Sequence, residues 1–356
     1  MSRVYIIAEA GVNHNGSLTM AKDLIDLAAD AGADAVKFQT FLAEEVISTF
    51  APKAPYQERI TSVGESQLEM VQKLQLNENQ HEELVRYCQF CNIDFMSTPF
   101  DLYSVDLLVH RLQVSRLKIA SGEITNAPLL LKAARTRTDI ILSTGMSSLG
   151  EVETALGVLA FGYCEGGNQP SPAAFRASYS SPEGQRFLRE KITLLHCTTE
   201  YPAPFEDINL LAMDTLRQAF GLKVGYSDHS PGISVAIAAA ARGARVIEKH
   251  FTLNRNLPGP DHQASLEASE LNEMIKSIRQ VELALGSPRK FAARSELLNL
   301  PIARKSLVAK INIQKGEIFT EDNLGIKRPG RGVEPIFYWD YLGKPAAHDY
   351  QADEEV

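Results

Sequence analysis

The chain has 356 residues, enough for one large domain with a small companion. Hydrophobic residues make up 44% and charged residues 22%, a globular balance that excludes a fibrous or low-complexity chain. A formal charge of −8 disfavours nonspecific nucleic-acid binding, and no apolar run reaches the roughly 18 residues of a membrane span.

Met1-Ser2-Arg3 leads straight into the strand signal Val4-Tyr5-Ile6-Ile7, so no secretory leader is expected and the reading is cytoplasmic. Short β-rich runs then recur at Val4–Ala8, Ala35–Gln39, Ile93–Ser97, Arg116–Ala120, Asp139–Ser143, Ile192–His196, Lys223–Ser227 and Arg245–Lys249. Helical patterns such as Ala21 to Ala28 separate them, with apolar residues at i, i+3, i+4 and i+7. Eight β-then-α units predict a (β/α)8 TIM barrel over residues 1–286. A doubly wound sheet is the rival. The even count and the polar residues at each strand's C-terminal end favour the barrel.

Two interruptions stand out. Residues 41–76 form a long segment after the second strand, with the position and length of a lid. Residues 164–190 are rich in Gly, Pro and Ser and read as a mobile insertion with no assigned function. Residues 287–302 read as a linker, and 303–356 as a small β-rich domain. Cys88 and Cys91 form a CxxC on a predicted outer helix. No second CxxC exists, so reduced thiols are expected rather than zinc.

The strand ends carry the chemistry. They read Glu9, Asn13 and His14, then Lys37 and Gln39, then Ser97 and Thr98, then Lys118, Ser121 and Glu123. Ser143 and Thr144 follow, then His196, Thr198, Thr199 and Tyr201, then Ser227, Asp228 and His229, and last Lys249 and His250. Buried strand interiors avoid such groups unless they are paired or meet a polar ligand. His229 and His250 end consecutive strands 21 positions apart and would face one mouth, where two imidazoles could hold Mn, Fe, Co or Zn. Lys37 and Lys118, ringed by the hydroxyls of Thr98, Ser121, Ser143 and Ser227, suit a phosphate group. The alternative is that each lysine pairs with a carboxylate such as Glu9 or Glu123. Pro258-Gly259-Pro260 frames a loop that could aim Asp261 at substrate hydroxyls. Arg328, before Pro329, reads as a surface residue on its own terms.

Ordered motifs along nearly the whole chain resemble the bacterial sialic (nonulosonic) acid synthases. They include Glu9-Ala10-Gly11-Val12-Asn13-His14, Lys37-Phe38-Gln39-Thr40, Ser97-Thr98-Pro99-Phe100 and Lys118-Ile119-Ala120-Ser121-Gly122-Glu123. Ser143-Thr144-Gly145-Met146, His196-Cys197-Thr198-Thr199-Glu200-Tyr201-Pro202, Ser227-Asp228-His229 and Glu248-Lys249-His250 continue the series. The C-terminal part resembles that family's antifreeze-like (SAF) domain. The resemblance implies condensation of phosphoenolpyruvate with an N-acylated mannose-type sugar to a nine-carbon 2-keto acid and phosphate. It implies a divalent metal, Mn, on His229 and His250, and phosphoenolpyruvate bound by Lys37, Thr98, Lys118, Ser121, Ser143, Tyr201 and Ser227. Thr199 joins the substrate-binding set. Glu9, Gln39 and Asp261 would contact the sugar, and Glu9 or Glu123 would stabilise a cation or move the proton. Arg328 of the partner subunit would reach the acyl group in a domain-swapped homodimer. The Thr198-Thr199 pair and Glu9 to Asn13 lean towards the N,N'-diacetyllegionaminate synthases, with N-acetylneuraminate synthase the alternative. A metal-dependent barrel aldolase or epimerase, and a carbohydrate- or ice-binding protein, are the rival classes.

Overall fold

The protein is described by a computed structural model that covers residues 3–52, 66–164 and 169–356. The chain divides into two compact units, Met1–Gly286 and Ser287–Val356.

In the first unit the eight predicted strands all form. They are β1 (Tyr5–Gly11), β2 (Ala35–Thr40), β3 (Asp94–Pro99), β4 (Arg116–Ile119), β5 (Asp139–Ser143), β6 (Ile192–His196), β7 (Lys223–Asp228) and β8 (Val246–His250). Every ladder between them is parallel, and they hydrogen-bond in the order β3-β2-β1-β8-β7-β6-β5-β4. First and last strands are therefore neighbours, and β4 packs back beside β3. That closure is the barrel, and it removes the doubly wound alternative.

Side chains alternate across a strand, so parity decides what faces the barrel axis. Ile7, Ala35, Met96, Ile141, Leu195 and Val246 form one buried apolar cluster, an internal plug. Two residues further along the same strands stand Glu9, Lys37, Thr98, Ser143, Cys197 and Glu248. The opposite parity, including Ile6, Ala8, Val36, Phe38 and Leu142, packs into the larger cluster shared with the helices. The first helix, Leu18–Asp30, shows the pattern: Ser17 caps it by accepting from Met20 N, and Ala21, Leu24, Ile25 and Ala28 are buried.

Of the expected mobile insertion at 164–190, residues 165–168 lie outside the described residues, and most of the remainder is helix rather than loop. Pro172–Ser180 and Pro182–Lys191 are helices. Ser171 and Ser181 each cap one, with proline in the first turn, so a composition typical of loops here starts helices. Phe175 packs edge-on against Phe161 at 5.3 Å, and Phe187 stacks on Tyr163 at 5.9 Å, fixing both to the helix Leu149–Cys164. Within the expected lid, residues 53–65 lie outside the described residues. Its flanks are helical at Ala43–Val46 and Gln67–Leu74.

The second unit is built on β9 (Ser306–Ala309) and β10 (Leu324–Lys327), antiparallel with Leu324 opposite Ala309. Leu307, Ile313, Phe319, Leu324 and Tyr350 form its core. The four cysteines are free, with Cys88 buried on the helix Glu78–Phe90. Among the described residues no helix is long and apolar enough to cross a membrane.

Candidate active site

Above the apolar plug, the strands' C-terminal ends enclose a cavity of about 160 Å3. It is lined by Glu9, Lys37, Gln39, Thr98, Lys118, Ser121, Ser143, Thr199, Tyr201, Ser227, His229, Glu248 and His250, with Phe100, Ala120, Gly122 and Cys197. A larger hollow of about 790 Å3, lined by Arg3, Lys223, Arg245 and Leu285 among others, lies at the strands' N-terminal ends, away from where barrels place chemistry.

Lys37 and Lys118 converge on a carboxylate that the sequence reading left out of the site, Glu248. Its oxygens lie 3.7 Å from Lys37 Nζ and 3.4 Å from Lys118 Nζ, and Ser227 Oγ donates to it at 2.6 Å. Lys37 also stands 2.6 Å from Glu9 and donates to Thr98 Oγ1 at 2.9 Å. Burial works against ionising Glu248, but Lys118, Lys37 and the Ser227 hydroxyl outweigh it and hold the carboxyl down to about 2. Burial pushes Glu9 up to about 8 against the pull of Lys37, so at neutral pH it keeps its proton. The layer then carries two ammonium groups against one carboxylate, a net positive charge in a buried space, which favours an anion.

Several donors have no acceptor. Ser143 Oγ and Thr199 Oγ1 are buried without a hydrogen-bond partner, the condition expected of groups that wait for a ligand. Ser121 Oγ accepts from Gly145 N at 2.9 Å and lies 3.1 Å from Cys197 Sγ. A Cβ at Gly145 would stand 2.4 Å from Thr199 Oγ1, so only glycine lets this loop close over the cavity. Gly11 is the matching case on β1. Its φ is +53° at the bulge between Glu9 and Gly11, and a Cβ there would crowd Glu9, His250 and Asp261.

The imidazoles of His229 and His250 face each other with ring centroids 5.6 Å apart, and Tyr201 lies 4.3 Å from the first and 5.6 Å from the second. Burial lowers His229 to about 4, only partly offset by its bond to Thr198 O; burial and the neighbouring His229 lower His250 well below the usual range. Both are therefore neutral, the form that binds metal. His229 Nδ1 donates to Thr198 O at 2.6 Å, which leaves Nε2 as the unprotonated nitrogen, with Ser227 Oγ 3.4 Å from it. His250 Nδ1 is buried without a hydrogen-bond partner, 3.9 Å from Asp261 Oδ2. Among the described residues no group of three or more His, Cys, Asp or Glu forms a complete cage. The donor set thus fits a divalent ion held by two imidazoles, its remaining positions left to water or substrate oxygens.

One expected residue lies elsewhere, and another belongs to the second unit. Glu123 sits in the turn Ser121–Glu123, where its carboxylate accepts from Asn126 Nδ2 at 2.7 Å, and it does not line the cavity. Arg328 is exposed on the second unit. Part of the polar ring also faces the helices instead of the axis. Lys249 pairs with Asp228 at 2.9 Å, both fully buried. Ser97 meets Thr40, which meets His81, and His196 Nε2 meets Ile208 O. Thr144 donates to Leu195 O, Thr198 to Asp207 O, and Asn13 to Phe251 O and Ser265 Oγ. His14 Nδ1 takes the amide of Gly16.

Residues 24–290 match the NeuB family, and residues 304–354 match the SAF domain. The N,N'-diacetyllegionaminic acid synthase of Campylobacter jejuni is 54% identical over 356 residues, covering 100% of this chain and 99% of its own length. That of Legionella pneumophila is 43% identical over 331 residues, covering 93% of this chain and 87% of its own. The crystal structure of an N-acetylneuraminic acid synthetase from Leptospira borgpetersenii, solved with citrate, superposes with a TM-score of 0.65 at 34% identity over 84% of this chain and 90% of that one. The cavity therefore sits in a chain that belongs to the NeuB family.

Proposed function

We propose that the chain is a nonulosonic acid synthase that condenses phosphoenolpyruvate with an N-acylated mannose-type sugar, releasing phosphate and a nine-carbon 2-keto acid. Its acceptor is 2,4-diacetamido-2,4,6-trideoxymannose, which makes it an N,N'-diacetyllegionaminate synthase like the relatives from Campylobacter jejuni and Legionella pneumophila. The observation that carries the reading is the pair of buried lysines beside unpartnered hydroxyls, facing two neutral imidazoles in one cavity.

In this reading Lys37 and Lys118 hold the phosphate and carboxylate of phosphoenolpyruvate, with Thr98, Ser121, Ser143 and Ser227 as hydroxyl donors. C3 attacks the sugar C1 aldehyde, water adds at C2, and the C2–O bond to phosphate breaks. The lysines stabilise the charge that moves onto the leaving phosphate. Glu9, kept protonated by burial, gives a proton to the oxygen that forms at C1; Glu123 lies outside the cavity and is not assigned that task. A divalent metal, manganese in this proposal, seated on His229 and His250 supplies Lewis-acid polarisation of the C1 carbonyl. Gln39 and Asp261 orient the sugar hydroxyls. Arg328 of the partner subunit reaches the acyl group in a domain-swapped homodimer, and the free thiols suit a cytoplasmic enzyme.

The test is phosphate release from phosphoenolpyruvate with Mn present, offering either N-acetylmannosamine or 2,4-diacetamido-2,4,6-trideoxymannose. Release with the second sugar is expected. Preference for the first makes the chain a neuraminate synthase, and no release with either refutes the reading.

A further inference from the structure

A second cavity of about 260 Å3 adjoins the first and shares Gln39, Phe100, Tyr201 and His250 with it. Its character is different. Its wall is Val12, Phe41, Val46, Met70, Val71 and Leu74, together with Ile47. Val12, Phe41 and Leu74 belong to a buried cluster of their own, so the wall is packed. The polar groups Gln39, Tyr201, His250 and Asp261 gather on the side of the reacting centre, where Asp261 lies 3.9 Å from His250. Among the described lining residues Gln67 is the one other polar side chain, and none is Lys or Arg.

We infer that this apolar chamber selects the acceptor by seating the methyl-bearing end of a 6-deoxy sugar, its C6 methyl foremost, and by disfavouring a sugar with a hydroxyl or phosphate at C6. The inference rests on the synthase reading. C1 must lie in the polar cavity, where the imidazoles and phosphoenolpyruvate meet, so the distal carbons extend through the shared mouth into the chamber. A methyl group there sheds its water favourably, in proportion to the apolar area it buries. A hydroxyl pressed on the same wall loses its water partners and finds no replacement among the valines, Met70 and Leu74. Among the described lining residues a phosphate would meet no cation.

The experiment measures kcat/KM by phosphate release, with phosphoenolpyruvate and Mn saturating. The acceptors are N-acetylmannosamine, its 6-deoxy analogue, its 6-phosphate and 2,4-diacetamido-2,4,6-trideoxymannose. The 6-deoxy analogue is expected to exceed N-acetylmannosamine by roughly 10- to 200-fold, the range of one group in an apolar pocket, with the 6-phosphate slowest. Val71→Thr, which keeps the side-chain shape, and Met70→Gln should each shrink that ratio about tenfold. A ratio divides out the amount of folded enzyme, so a partly unfolded variant still reports. Equal use of the deoxy and hydroxy sugars, or a ratio untouched by both variants, overturns the chamber while leaving the synthase intact. Phosphate release from none of the four overturns both.

Discussion

Lys118 and Lys249 are both buried strand-end lysines facing carboxylates, yet their surroundings differ. Lys249 faces the helices, pairs with Asp228, and adds Ser230 O; Asp228 in turn takes the amide and hydroxyl of Ser230. Lys118 faces the axis, shares Glu248 with Lys37 at 3.4 Å, and stands among hydroxyls that lack acceptors. A saturated charge pair is structure; a crowded, under-satisfied one is a site waiting for an anion. Residue type does not separate the two, whereas strand parity does.

The sharpest way to break this contrast is at the imidazoles. His229→Ala should lower turnover by at least about 1,000-fold, as loss of several kcal/mol of Lewis-acid stabilisation implies, and deplete bound Mn while unfolding stays cooperative. Full activity in a metal-free preparation would end the metal role. Next come the two lysines themselves. Lys118→Met should cut kcat/KM for phosphoenolpyruvate about 100-fold with little change in Tm, since charged contacts are worth about 1.5–3 kcal/mol each. Lys249→Met should do the reverse, because stranding Asp228 costs about 3–5 kcal/mol and lowers Tm while the folded fraction keeps its kcat/KM. Equal effects of both on Tm would erase the distinction between the faces.

Glu9 tests the charge of the inner layer. Its carboxyl sits at about 8 against an ordinary 4.5, so the folded state binds the proton more tightly. The stability this contributes is complete below about pH 4.5 and disappears as pH climbs through about 8. Phosphoenolpyruvate kcat/KM should fall over the same alkaline limb, as a second carboxylate cancels the layer's positive charge, and Glu9→Gln should flatten it. A limb that persists in the variant assigns the titration elsewhere. The smallest effect is expected at the second unit: Arg328→Ala should raise KM for the sugar about tenfold and leave that for phosphoenolpyruvate alone. Sedimentation of the wild-type chain as a monomer with full activity would remove the partner subunit from the account.

Much of the barrel was legible because each strand is a short apolar run after a helix stop such as Gly32, and the observed ends fall within a few residues of the expected ones. The lysine and histidine pairs were legible by spacing. Glu248 was missed although Val246, Glu248 and His250 share one face of β8, which parity alone could have shown. Lys249 and Asp228 were placed in the ring for the same reason in reverse. The helices after Ser171 and Ser181 were hidden because Ser-Pro serves a turn or a helix start equally well, and Phe175 and Phe187 decide it only through tertiary packing. The acceptor chamber was invisible in sequence, since Val12, Phe41 and Leu74 meet only once the chain has folded.

The apolar plug beneath the site has a kinetic consequence. Among the described residues, Ile7, Met96, Ile141 and Leu195 close the barrel beneath the site, which confines reactants and products to the side of the strands' C-terminal ends. Whatever lies deepest must arrive first and depart last. Phosphoenolpyruvate, held at the level of Glu9 and Lys118, would precede the sugar, whose chamber opens off the mouth. Traffic through this enzyme would then be a queue, with the order of entry written into the floor of the barrel.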